Sequence, residues 1–200
     1  MMQKSLTEES AYTKRLISLS KNQLKRIFQV QLPYKIRIKK IISGSTLDIG
    51  CGIGRILKWL PKNSIGVDHN ADSVQYCKDN GLDAWTAQDF DVLFDSTEKF
   101  DYLLFAHVLE HLKNEEQTIL VKNYLKFLAP KGKVVIITPQ IKGYKSDSTH
   151  LTFTDDVRIE RILQDNGLEV ISNKSFPFPK FFGRYFKYNE FQIIAQYISE

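Results

Sequence analysis

Residues 46–55, TLDIGCGIGR, constrain this chain more than any other stretch. A short apolar run ends in Gly50, and Gly52 and Gly54 follow at alternate positions, with Cys51 inside the turn. Glycines so placed let the backbone turn sharply and approach a ligand where a Cβ would intrude. A strand running into such a turn belongs to a doubly wound α/β sheet, whose ligands sit beyond the carboxyl ends of the strands. Two acids accompany the turn. Asp48 precedes the glycines, where a carboxylate meets a ligand's ammonium group directly or through water. Asp68 ends the next apolar run, SIGVD, where an acidic side chain takes both hydroxyls of a ribose. A dinucleotide site would need G-x-G-x-x-G, and the third glycine position is Arg55.

From Gly44 onward short apolar runs alternate with helical stretches. The runs are TLDIG (46–50), SIGVD (64–68), LDAWTA (82–87), FDYLLFA (100–106), GKVVIITP (132–139), LEVISN (168–173) and FQIIAQYIS (191–199). Helices are predicted at Arg55–Leu60, Ala71–Asn80, Glu115–Leu128 and Asp155–Asp165, with Thr154 as cap of the last. Strands alternating with helices indicate a parallel sheet covered on both faces. The last run follows LEVISN without an intervening helix, so it returns antiparallel. Ahead of this domain, Glu9–Val30 has helical periodicity, Pro33 is expected to end that helix, and YKIRIKKII forms a second basic segment. The chain therefore divides into an arm, residues 1–43, and one domain, residues 44–200.

Charge is unevenly spread. The arm carries ten Lys or Arg against two Glu, a local balance of +8, so the overall +5 leaves −3 for the domain. Such an arm suits a solvated helix face, anionic lipid, nucleic acid or a phosphorylated acceptor. No apolar run approaches the roughly 20 residues that cross a bilayer, and the first residues lack a secretory signal's apolar centre. Cys51 and Cys77 form neither a disulfide framework nor a metal spacing, which points to a reducing cytoplasm.

The four histidines, His69, His107, His111 and His150, each fall at or just beyond a predicted strand end. Val108–Leu112 is expected to open a helix, which gathers His107, Glu110 and His111 on one face. Two readings stand beside a purely structural hydrogen-bond network. His111 or His150 is a general base acting on a hydroxyl, because an imidazole titrates near working pH. Alternatively, Glu110, His111 and His150 hold a divalent metal that acidifies the hydroxyl.

LDIGCGIGR followed by IGVDHN resembles the first two motifs of the class I S-adenosylmethionine-dependent methyltransferases, over residues from about 43 to the end. The resemblance implies a Rossmann-like sheet of seven strands with the last antiparallel and helices on both faces. It implies S-adenosylmethionine as cofactor, with Asp48, Gly50, Cys51, Gly52 and Gly54 around its methionine half and Asp68 on its ribose. His69 would lie beside the adenine, Asp89 would meet the adenine amino group, and Gln88 and Phe90 would flank it. His107 would stand near the methyl group, as a cofactor contact and with Glu110, His111 and His150 as a catalytic residue. Ubiquinone-pathway O-methyltransferases, which this chain resembles, and small-RNA 2′-O-methyltransferases bind a divalent cation through E-x-x-E-H. Here the run is His107-x-x-Glu110-His111, with His150 as the later ligand. A histidine in the first place shifts preference from magnesium toward zinc or another imidazole-binding ion.

SFPFPKFFGRYFKYNEF, residues 175–191, packs eight aromatics among Lys180, Arg184 and Lys187. Its prolines and Gly183 exclude one continuous helix. It reads as an apolar acceptor wall, with a sealed sheet edge, single-stranded nucleic acid and a membrane surface as alternatives. The function implied is methyl transfer to a hydroxyl of a small-molecule, glycan or lipid-linked acceptor. An RNA methyltransferase and a non-catalytic cofactor-binding subunit are the alternatives.

Overall fold

The computed structural model describes residues 24–197 except Ser96, with the side chains of residues 24–30 left aside. Residues 9–23 of the expected first helix lie outside the described residues. The chain falls into two compact units that divide after Asp95.

The first unit opens with α1, Leu24–Ile41. Pro33 lies inside this helix and does not end it. A proline in a helix interior costs about 3 kcal/mol. Burial of Ile38 and of the adjoining Ile42 offsets that, at about 1.5–3 kcal/mol each. Lys39 and Lys40 also sit in the last turn, where cations complement the helix dipole.

Strand β1, Thr46–Ile49, is buried along its whole length. It pairs in parallel with β2, Ile65–Asp68, which pairs in parallel with β3, Ala84–Thr86. Between β2 and β3 runs α2, Ala71–Asp79, capped by the Asn70 side chain, which accepts from the Ser73 N–H at 3.0 Å. The helix expected at Arg55–Leu60 is only a 3-10 turn, Leu57–Trp59. Six residues stopped by Pro61 are too few to repay helix nucleation. The sequence pattern also missed α3, Ala87–Leu93. Thr86 caps it by accepting from the Asp89 N–H at 3.1 Å.

The second unit holds four strands in the order β4-β5-β7-β6. They are β4, Phe100–Ala106; β5, Leu128–Pro139; β6, Leu168–Phe176; and β7, Glu190–Tyr197. β4 and β5 are parallel, while β7 runs antiparallel to both β5 and β6. Leu103, Leu104, Phe105, Val134, Val135 and Ile136 are all fully buried, as parallel strands covered on both faces require. After β4 the expected helix at Val108–Leu112 is a 3-10 turn, Leu109–His111, entered through His107 in the left-handed region (φ 59°). The helix α4, Asn114–Tyr124, then leads through a second 3-10 turn into β5. A short α5, Ile141–Tyr144, follows β5, and α6, Asp156–Asp165, precedes β6. Asp155, not Thr154, caps α6, accepting from the Arg158 N–H at 2.9 Å. Thr154 is fully buried and its hydroxyl is engaged by the Gln117 amide at 2.8 Å.

The two units together supply the seven strands of a Rossmann-like mixed α/β sheet, with the last strand antiparallel to its neighbours. Among the described residues no helix is long and apolar enough to cross a membrane.

Candidate functional site

In the first unit β1 delivers Asp48 and the glycine turn, and β2 delivers Asp68. Gly50, Gly52 and Gly54 all have positive φ (75°, 53° and 70°). The turn is held to β2 by the Gly50 and Cys51 N–H groups, which donate to the Val67 carbonyl at 2.7 and 3.1 Å. Asp68 completes the clasp. Its carboxylate accepts from the Gly52 N–H at 2.8 Å and from the Asn70 N–H at 2.9 Å. Gly54 serves packing, because a Cβ there would run into the Leu82 side chain and come within 3.0 Å of Cys77 Sγ. The Cys77 thiol reaches the Gly52 carbonyl at 3.3 Å. The neighbouring Cys77 thiol and burial together push the Cys51 thiol well above its ordinary range.

Asp48 is 2% exposed, and its Oδ2 has no hydrogen-bond partner. Burial, reinforced by the charge of Asp68, raises its pKa to about 8. A buried carboxyl group without a partner is costly to a fold unless a ligand completes it. His69 is exposed with Nδ1 3.5 Å from Asp68 Oδ1. Gln88 and Asp89 are exposed on the first turn of α3, and the Asp89 carboxylate accepts from the Thr86 hydroxyl at 2.7 Å. Phe90 is fully buried, its ring stacked on Phe94 at 4.5 Å.

In the second unit His107, Glu110, His111 and His150 come together, joined by Glu190 from the start of β7. The backbone carbonyl of Glu110 accepts from the Leu151 and Thr152 N–H groups at 2.8 and 3.1 Å, which brings His150 to the turn after β4. His107 stands between two carboxylates, with Nδ1 3.3 Å from Glu110 Oε1 and Nε2 2.9 Å from Glu190 Oε1. Nε2 is hydrogen-bonded to Glu190 while Nδ1 faces the Glu110 carboxylate at ion-pair distance, and both neighbours favour the imidazolium. Burial alone would lower its pKa, but bonds to Glu110 and Glu190 and their charges outweigh burial and raise it to about 10.

His111 and His150 differ from it. Their rings meet edge to face at 4.8 Å. His150 Nδ1 donates to the Tyr144 carbonyl at 2.8 Å, and His111 Nδ1 donates to the Thr149 carbonyl at 3.2 Å. A carbonyl can only accept, so Nδ1 of each ring carries a proton, and Nε2 is the nitrogen left to accept whenever the ring is neutral. Burial, with the charge of His150, lowers the His111 pKa below its ordinary value despite Glu110. Glu110 is fully buried and neither carboxylate oxygen has a well-formed hydrogen bond. One ligand atom each from Glu110, His111 and His150 lie within 4.8 Å of one another, a spacing that could hold a metal ion.

Residues 21–173 match the family described as a methyltransferase domain. The chain belongs to the class I S-adenosylmethionine-dependent methyltransferases. It is 31% identical over 148 residues to a ubiquinone biosynthesis O-methyltransferase of Rickettsia conorii (strain ATCC VR-613 / Malish 7), which covers 62% of this chain and 50% of that protein. The chain spans about half the length of the curated relatives it matches. Among solved structures, it is similar to a SAM-dependent methyltransferase from Archaeoglobus fulgidus, with a TM-score of 0.65 at 20% identity over 90% of this chain and 98% of that one. It is also similar to a TehB-like SAM-dependent methyltransferase from Corynebacterium glutamicum, with a TM-score of 0.68 at 18% identity over 95% and 100%. At these identities the structures establish the fold.

Within this methyltransferase fold the sequence pattern overlooked Glu190, Gln140 and Asn189, all buried. Glu190 begins β7 opposite Pro139 of β5 and Phe176 of β6, a register that sequence spacing does not disclose. The one available signal was an N-E pair opening an otherwise apolar run. The helix α3 was legible as a threonine followed three residues later by Asp89, a capping pattern.

Proposed function

We propose that this protein transfers a methyl group from S-adenosylmethionine to a hydroxyl of a small-molecule acceptor, with residues 44–200 as the catalytic domain behind a basic arm. The observation that carries the reading is Asp48 Oδ2, buried without a partner beside a glycine turn that Asp68 clasps. A ligand bearing an ammonium group fits that carboxyl group, and its approach to bare backbone fits the turn. The ribose falls to Asp68 and the adenine to His69, Gln88 and Asp89; Phe90 supports α3 from beneath. When bound, the cofactor supplies an electrophilic methyl group. The chain's own contribution is to position the acceptor and take its proton. His111 Nε2 or His150 Nε2 accepts the hydroxyl proton, since each ring donates from Nδ1 to a backbone carbonyl and, when neutral, presents Nε2 as the acceptor. The His107 imidazolium, gripped by Glu110 and Glu190, keeps positive charge beside them. The ubiquinone-pathway relative supports a hydroxyl on a small molecule as the acceptor. Two buried free cysteines suit a reducing cytoplasm.

Calorimetry with S-adenosylhomocysteine tests the donor half. Wild-type protein should bind it, and Asp48→Asn should weaken binding about tenfold to a hundredfold, the worth of one charged hydrogen bond. Absence of heat at millimolar ligand would sink the proposal.

The grouping of Glu110, His111 and His150 favours a second reading for the acceptor half, in which they hold a divalent ion that acidifies the hydroxyl. Two imidazoles and one carboxylate suit zinc or a similar ion better than magnesium. Metal analysis of untagged protein, with activity measured before and after chelation, separates this from the general base. No stoichiometric metal and no loss of rate would remove it.

A further inference from the structure

A depression of about 740 Å³ opens on the second unit. Phe153, Phe181, Tyr185 and Phe191 supply its rings, and Lys180 and Arg184 its cations. We propose that it holds the acceptor, and that the acceptor carries a flat apolar body and a carboxylate read by Arg184. This rests on the methyl-transfer reading above and adds the substrate's chemical class.

The pocket is built rather than incidental. Its wall includes Gln140 at the end of β5, and fully buried Asn189 donates to Gln140 Oε1 at 3.0 Å and to Ser175 Oγ at 2.9 Å. Asn189 Oδ1 accepts from the Phe178 N–H at 2.9 Å, and Gln140 Nε2 donates to Ser175 Oγ at 2.8 Å. These bonds tie both ends of the aromatic loop. Gly183 sits so close that a Cβ there would overlap the Gln140 side chain, which seats the 3-10 turn Lys180–Arg184 against β5.

The charges are not equivalent. Lys180 Nζ is committed to both Asp156 oxygens at 2.7 Å and lies 5.4 Å over the Phe191 ring. Asp155, also in the wall, faces the N-terminus of α6 as its cap. Arg184 is exposed, and among the described residues it has no ion pair. A guanidinium so placed is a ready fork for a carboxylate. Beside it Phe181 is 62% and Tyr185 76% exposed, ring area that costs free energy in water until something flat covers it. The Gln140 amide also donates to the Glu190 carbonyl at 3.2 Å, so the wall adjoins the carboxylate that grips His107. The volume suits a compact ligand.

The test titrates wild-type, Arg184→Gln, Arg184→Lys and Tyr185→Ala proteins with 3-hydroxy-2-naphthoate and with uncharged 2-naphthol, following ligand fluorescence. S-adenosylhomocysteine calorimetry and sedimentation with phosphatidylglycerol vesicles run on the same preparations. The naphthoate should bind wild type at least about tenfold tighter than the naphthol, as a charge-assisted bidentate pair implies. Arg184→Gln should erase that preference, Arg184→Lys should keep part of it, and Tyr185→Ala should weaken both ligands equally. Equal binding of the two ligands, no binding of either, an unaffected Arg184→Gln protein, or vesicle binding in place of naphthoate binding would each overturn the proposal. Naphthoate preference without any S-adenosylhomocysteine heat would overturn the donor reading and the acceptor role with it, leaving only an anion site.

Discussion

The glycine turn and the imidazole cluster answer to different physics. The turn is assembled from residues 48–70, two adjacent strands and the loop between them, and backbone amides do most of its work. The cluster draws on residues 107, 110, 111, 150 and 190, with carboxylates facing His107 and backbone carbonyls orienting His111 and His150 across the second unit. The difference teaches where each function is robust. A backbone-built site tolerates change in side chains that point away from it, whereas a side-chain network fails when one member is lost.

Four substitutions or titrations would break or sharpen that contrast. The largest effect is expected from His111→Gln and His150→Gln, measured as initial rate of label transfer into the extract fraction that accepts it. Loss of the base should cost about 10²–10⁴-fold in rate, with S-adenosylhomocysteine affinity unchanged. Parallel losses of rate and affinity would mean the cluster is not separate from donor binding.

Next is Gly54→Val. A β-branched side chain at φ 70° that also collides with Leu82 should destabilise the protein by about 2–4 kcal/mol, combining backbone strain and overpacking. Urea denaturation measures it, and an unchanged midpoint would remove Gly54 from the packing of the turn.

Third, Glu190→Gln takes one carboxylate from His107. The His107 pKa is raised in the folded state, so its contribution to stability is complete below about 6.5 and is lost as pH rises through about 10. The substitution should move that loss to lower pH and cost about 1–2 kcal/mol at neutral pH, tempered because the ring is 36% exposed. Denaturation across pH 6–11 reads it, and an unshifted profile would show that Glu190 does not hold the imidazolium.

The last contrast concerns Asp48 and is read as a slope against pH. Its folded-state pKa of about 8 exceeds the ordinary 3.8, so the native protein holds a proton that the unfolded chain has released. Without ligand, stability should therefore decline as pH rises from about 4 to about 8 and level off above. Donor affinity should run the other way, gaining at most about tenfold per pH unit up to about 8, because the ammonium partner needs the carboxylate. Calorimetry at pH 6, 7 and 8 checks the slope, and Asp48→Asn should flatten it.

Strands were more legible than helices. Apolar runs such as SIGVD and FDYLLFA mark β2 and β4 because parallel strands are buried on both faces. The helical stretch after the glycine turn failed because local pattern does not weigh nucleation in six residues against Pro61. Pro33 misled in the opposite direction, since burial of Ile38 further along the helix and of the adjoining Ile42 favoured its continuation. The imidazole cluster was legible in part, as His107, Glu110 and His111 are neighbours in the chain. Glu190 was not, because it reaches His107 only through the pairing of β7 with β5.

By itself the sequence determined the Asp48–glycine–Asp68 arrangement, since adjacent parallel strands and the loop joining them leave few conformations for that many glycines. Tertiary structure alone decided which imidazole stands between carboxylates and which ones turn Nδ1 to a backbone carbonyl. Protonation follows the groups facing each ring nitrogen, and those groups, Glu190, Thr149 and Tyr144, are brought there by folding rather than by proximity along the chain.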